Sequence, residues 1–221
     1  MGTYFLAKWL HIVAMAYWLG GEWGVFNSSR YVVDPKLSFG ERMRHMETAF
    51  RIDVLARAGI IMLLPLGLHL GNILGVQPLG GAWLTGMWLL AAGWMALMLA
   101  AFRHRGTELG IRLTRIDESI RYVVIPALFL VATISLVTGG PIVAKWYATK
   151  MFIFGGLLII GLYLRWVMRE WFFEFRRIEA AGGDARAEAR LGLTMQRARI
   201  VAYFYWVLIG TMAYLGVAKP F

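Results

Sequence analysis

Runs of apolar residues long enough to cross a bilayer recur along this chain, and little else constrains its fold as strongly. About 18 to 20 consecutive apolar residues span the hydrocarbon core. A backbone placed there must satisfy its own hydrogen bonds, which leaves helices as the natural solution for runs of this length. Six candidate spans can be read: Phe5 to Phe26, Val54 to Val76, Ala82 to Phe102, Tyr122 to Thr138, Trp146 to Trp166 and Val201 to Val217. The fourth is the shortest. The expected fold is all-α, a polytopic transmembrane bundle of about six helices, with residues 1–221 forming a single integral membrane domain.

The formal net charge of +10 could point to nucleic acid, but its distribution points elsewhere. Arg30, Lys36, Arg42, Arg44 and Arg51 lie between spans one and two. Arg103, Arg105, Arg112 and Arg115 lie between three and four, and Arg176, Arg177, Arg186, Arg190, Arg197 and Arg199 between five and six. The segment Gly71 to Thr85 carries no charge. Basic residues in alternate loops follow the positive-inside pattern. The three basic loops are therefore expected in the cytoplasm and both termini outside, with lipid rather than nucleic acid as the partner.

No cysteine is present, which removes disulfides, thiolate metal sites, iron–sulfur clusters and covalent haem attachment. The first apolar run is too long for a signal peptide, contains Lys8 and His11, and lacks a small-residue cleavage site. Trp83, Trp146, Tyr147, Trp166, Trp171, Tyr203 and Tyr205 fall near span ends, as interfacial anchors do. Between spans five and six, Arg165 to Glu179 reads as helix, Gly182-Gly183 as a break, and Asp184 as the cap of a second helix through Ala185 to Arg199. A charged cytoplasmic hairpin over about 167–199 is expected, either solvated or a docking site for a soluble partner.

Displacing the sequence by 64 residues superposes Ile52-Asp53 on Ile116-Asp117, Arg57 on Arg121, Gly75 on Gly139, Thr85 on Thr149, Met87 on Met151 and Arg105 on Arg169. Spans two and three would then repeat as four and five in parallel orientation; chance likeness between hydrophobic segments is the alternative. Asp53–Arg57 and Asp117–Arg121 read as i,i+4 ion pairs at helix ends.

His11 in span one and His69 in span two sit at matching depth, roughly 9 to 11 Å below the outer boundary at about 1.5 Å per residue. Two imidazoles in one layer are what a b-type haem requires, and both are candidate metal ligands. Ala14, Gly67 and Gly71 would let a flat macrocycle approach, and Pro65 would bend span two around it. Lys8, Lys145 and Lys150 mark the same layer as counter-charges for propionates, or simply as span-end anchors. Glu22 lies about 16 Å deeper than His11, with Arg57 or Arg121 as the expected partner in an ion pair or a proton relay. His45 and His104 lie in solvated basic segments, so one haem per chain is expected.

Leu10-His11-Ile12 followed by Trp18-x-Gly20-Gly21, the segment Arg42-Met43-Arg44-His45-Met46-Glu47, Lys150, and the closing Val217-Ala218-Lys219-Pro220-Phe221 resemble the HemJ-type protoporphyrinogen oxidases and the related CopD-like membrane proteins. The resemblance implies a bacterial inner (cytoplasmic) membrane protein in which His11 is associated with haem b and Lys150 matches a family lysine. Those oxidases look like four-helix proteins, so this chain would be an extended, six-helix member.

Three functions follow as expectations. One is a haem b cytochrome passing electrons between a redox partner protein or attached subunit and a membrane quinone. Another is protoporphyrinogen IX oxidation, with Lys8 or Lys150 binding substrate carboxylates. The third is copper handling, suggested by the CopD likeness and 12 methionines, because copper(I) favours thioether ligands.

Overall fold

A computed structural model describes residues 2–181 and 183–221, and these fold into six helices: α1 (Gly2–Val32), α2 (Phe39–Ile73), α3 (Ala82–Arg103), α4 (Glu108–Thr138), α5 (Lys145–Ala181) and α6 (Ala185–Ala218). Five of them, α2 to α6, are long and apolar enough to cross a membrane. This narrows the six-span expectation. α1 is 31 residues long, but Lys8, His11 and Glu22 lower its hydropathy and it is not among the five. The chain is an all-α, multi-pass membrane bundle. Its outward faces are apolar, with Leu89, Leu90, Val123, Val137 and Val207 exposed, as lipid contact requires.

The helices extend well beyond the apolar runs because local signals start and stop them. Ser38 and Glu41 form a capping box: the Ser38 hydroxyl accepts the Glu41 amide at 3.3 Å, and Glu41 accepts the Ser38 amide at 2.9 Å. α2 therefore begins far ahead of Val54. The Thr107 hydroxyl accepts the Gly110 amide at 3.1 Å, so the shortest expected span becomes part of a 31-residue helix. Asp184 caps α6 as expected, accepting the amides of Arg186 and Ala187 at 2.9 and 3.2 Å. Of the expected Gly182-Gly183 break, Gly182 lies outside the described residues, while Gly183 has φ +138°. Gly75 and Gly139, the 64-residue equivalents, follow α2 and α4 with φ +68° and +78°, a backbone that glycine adopts without Cβ strain.

α1 and α2 pack backbone against backbone. A Cβ on Gly21 would meet Ala56 Cβ at 2.8 Å, and one on Gly59 would meet the Ala14 carbonyl oxygen at 2.5 Å. The central core gathers Trp18, Ile61, Leu66, Leu157, Leu158 and Ile209. A second core occupies the basic end, where α1, α2, α5 and α6 run past the apolar runs and enclose Val32, Met46, Trp171, Phe175, Leu191 and Met195. Arg42 clamps it. Its Nη1 and Nη2 bind Glu188 at 2.6 and 2.8 Å and its Nε donates to the Val32 carbonyl at 2.9 Å, so a guanidinium only 4% exposed is well provided with acceptors.

Candidate functional site

The end of the bundle away from the basic loops contains a cavity of about 340 Å³ between α1, α2, α5 and α6, floored by Leu128 of α4. Met15, Leu64, Phe154, Ile209 and other apolar side chains form its walls. Lys8, Lys150, Lys219 and His11 border it, and its lining contains no aspartate or glutamate. An apolar chamber with cations and no carboxylate favours one ligand chemistry, a hydrophobic body bearing negative charge.

α1 presents His11 to α2 across the space that Gly67 leaves open, with His11 Cε1 3.5 Å from where a Gly67 Cβ would stand. Its Nδ1 is buried without a hydrogen-bond partner. Lys150 of α5 places its ammonium against α6, 2.6 Å from where a Gly216 Cβ would lie, so Gly216 makes room for that charge. Tyr147 donates from its hydroxyl to the Gly67 carbonyl at 3.1 Å. Its ring fills the space beside Gly71, so the gap expected to admit a flat macrocycle there is already occupied. Lys8 is exposed at the border, 5.8 Å from the Tyr4 ring centroid. Lys145 is exposed and is not part of the lining. Lys219 is, with its ammonium 5.5 Å from the Trp146 ring centroid; the sequence marked it only as part of the closing motif.

The expected histidine pair is not formed. His69 turns to α3, where its Nδ1 accepts the Trp88 indole N–H at 3.3 Å, and it does not line the cavity. The reason is azimuth. At about 100° per residue, a side chain two positions from Gly67 or Gly71 points to nearly the opposite side of the helix from the cavity-facing row. Matching depth did not bring the imidazoles to a common gap. Elsewhere His45 stacks on Tyr31 with ring centroids 4.6 Å apart, and His104 ends α3. Among the described residues no group of three or more His, Cys, Asp or Glu could hold a metal ion, and the chain has no cysteine. The residues do not fit a bis-histidine haem b, and the expected haem, iron and metal-ligand assignments of His11 and His69 are corrected accordingly. Of the methionines that suggested copper, Met46, Met168 and Met195 are packed into the basic-end core.

Toward the basic end lies a buried polar cluster. Asp117, 2% exposed, accepts the Trp94 indole N–H at 2.7 Å and pairs with Arg165 of α5. Asp53 pairs with Arg57 as its spacing predicts, whereas Asp117 does not pair with Arg121. Arg121 instead lies over the Trp94 ring, 5.3 Å from its centroid. Glu22 forms no salt bridge with Arg57 or Arg121; it borders a second, smaller cavity of about 70 Å³ together with both arginines. Trp18 borders the large cavity and Tyr205 the small one, and the Trp18 indole donates to the Tyr205 hydroxyl at 3.0 Å where the two meet. Asp117 and Arg165 are 48 positions apart, so no helical spacing could have announced their contact.

Compared with known protein families, curated proteins and solved structures, the chain matches none at a significant level.

Proposed function

We propose that this protein binds an amphipathic organic carboxylate, a substrate with an apolar body and acidic groups, in the cavity bordered by His11, Lys8, Lys150 and Lys219. The observation that carries the reading is the lining itself, with three lysines and a histidine, no carboxylate, and otherwise mostly apolar walls. Burying a carboxylate in such walls is costly unless a cation meets it. Lys150, braced against Gly216, supplies a charge held inside the chamber, while Lys8 and Lys219 supply charges near the termini. His11 lines the same chamber and brings an imidazole beside these charges. The resemblance to the HemJ-type oxidases supports a tetrapyrrole carboxylate such as protoporphyrinogen IX as the substrate class.

The basic loops face the cytoplasm in this reading. α1 crosses with α2, against which it packs at Gly21 and Gly59, and the binding cavity opens toward the outer half of the membrane.

Binding of protoporphyrin IX, a stable stand-in for the reduced substrate, to the detergent-solubilised protein tests the proposal. Quenching of tryptophan fluorescence reports it, and the dimethyl ester serves as the control. The acid should bind and the ester at least about tenfold more weakly, because a charged hydrogen bond contributes about 1.5–3 kcal/mol. Lys150→Met should reduce affinity for the acid alone. Equal affinity for acid and ester, or no effect of Lys150→Met, would overturn it.

A further inference from the structure

The large cavity is closed on one side and open on another. Its lining residues Leu128 of α4 and Trp146, Tyr147 and Phe154 of α5 are buried. The lining residues that stay exposed belong to α1 and to the ends of α2 and α6: Lys8, Ile12, Leu74, Val217 and Lys219. Ile12 is 50% exposed and Val217 87%, so two apolar residues that line the chamber also stand on the outside of the bundle. Each continues a lipid-facing stripe. On α1 the exposed Phe5, Trp9 and Ile12 follow one another at helical spacing, and on α6 Val207, Tyr214 and Val217 do the same. The edge of the chamber therefore runs directly into the surface that these two helices offer to acyl chains.

Toward the basic end the same two helices are sealed together. The Trp18 indole donates to the Tyr205 hydroxyl, Trp23 lies on Trp206 with ring centroids 4.6 Å apart, and Phe26 meets Trp206 at 5.0 Å. Outward from Trp18, α1 turns Met15, Ile12 and Lys8 to the chamber, and α6 turns Ile209, Ala213 and Val217 to it. The opening is confined to the outer half. With α1 crossing the membrane, Ile12 lies about seven residues, roughly 10 Å, inside the outer end of the first apolar run, at the depth of hydrocarbon.

The chemistry of this mouth selects what passes through it. Apolar side chains at hydrocarbon depth give water nothing to bind, whereas a hydrophobic body moves from lipid into the chamber without exposing its surface. Lys8 and Lys219 stand exposed at the border, with Lys150 further inside against α6. An acid whose body lies among acyl chains keeps its carboxylates at headgroup level, where lysines can snorkel to meet them.

We infer that the large cavity is filled sideways from the outer leaflet, through a portal between α1 and α6 framed by Ile12 and Val217, so that its ligand is an amphiphile already dissolved in the membrane. This rests on the carboxylate reading of the cavity and adds the route and the physical state of the ligand.

Binding kinetics of the full chain in phosphatidylcholine nanodiscs test it. Because the chain has no cysteine, Ile12→Cys, Val217→Cys and Leu74→Cys each carry a single thiol, which is modified with a bulky uncharged maleimide. Ile12 and Val217 frame the portal, while Leu74 marks the outer end of α2 and the route from water. Protoporphyrin IX is then added, and stopped-flow tryptophan quenching follows its association and, after dilution, its release. Modification at Ile12→Cys or Val217→Cys should slow association and release together by about tenfold or more, leaving the affinity unchanged, because a blocked door alters both rates equally. Modification at Leu74→Cys should leave both rates unchanged. A labelled variant that had lost its fold would lose affinity instead, and the two portal sites check each other. Undiminished rates at both portal positions, or slowing by the Leu74→Cys label alone, would overturn this inference while leaving the carboxylate reading in place. Failure of the unlabelled protein to bind the porphyrin at all would overturn both.

Discussion

Removing Asp117 should cost more stability than any exposed substitution on this molecule, and a double-mutant cycle with Arg165 should recover most of the loss. The carboxylate is 2% exposed and Arg165 7%, so neither charge is served by bulk solvent. Breaking such a pair by deleting one partner costs about 3–5 kcal/mol, because the other charge stays buried. In Asp117→Leu, Arg165 keeps only Glu118 Oε1 at 3.8 Å, and the Trp94 indole loses its acceptor. Residual attraction to Glu118 lowers the first cost while the orphaned indole adds about 1–3 kcal/mol. The net loss should be about 4 kcal/mol. Arg165→Met leaves Asp117 with the Trp94 hydrogen bond alone and should cost about 3 kcal/mol. The double variant removes both charges and fills the space with apolar groups, so it should lie within about 2 kcal/mol of the wild type. The cycle then gives a coupling of at least about 5 kcal/mol. Reversible unfolding in mixed micelles, followed by tryptophan fluorescence and far-UV dichroism, measures all four proteins. Additive single losses, with coupling below about 1 kcal/mol, would match an exposed pair and refute the reasoning.

Two further outcomes follow from the geometry. Adjacent glycines on α1 should respond with opposite signs: Gly20→Ala meets nothing within 4 Å and should stabilise by about 0.5–1 kcal/mol. Gly21→Ala drives a methyl into the Ala56 backbone nitrogen at 2.9 Å and should destabilise by about 1–3 kcal/mol; equal effects in the same unfolding assay would refute the close α1–α2 packing. Single cysteines in this cysteine-free chain should label Gly40Cys from the cytoplasm and Gly80Cys from the opposite side, and labelling of both from one side would overturn the proposed topology.

What the sequence determined by itself was whatever depends on neighbours along the chain. Hydropathy announced a multi-pass helical bundle because a backbone in lipid has few ways to satisfy itself. Asp184 announced its helix start, and Asp53 its partner Arg57, because caps and i,i+4 pairs lie within a turn or so of chain. The reach of α2 and α4 beyond the apolar runs was also written locally, in Ser38, Glu41 and Thr107, where hydropathy alone could not see it. Tertiary structure decided which faces meet. Depth along a helix follows from counting residues, whereas azimuth depends on how each helix is rotated against its neighbours. That is why His69 turned to Trp88, while His11 stayed beside Gly67. Lys219 joined Lys150 at one cavity because the end of α6 returns beside the start of α5, and Arg165 reached Asp117 rather than leaving it to Arg121. A buried charge takes the partner that packing places within reach, and packing between helices is a property of the assembled bundle rather than of any one segment.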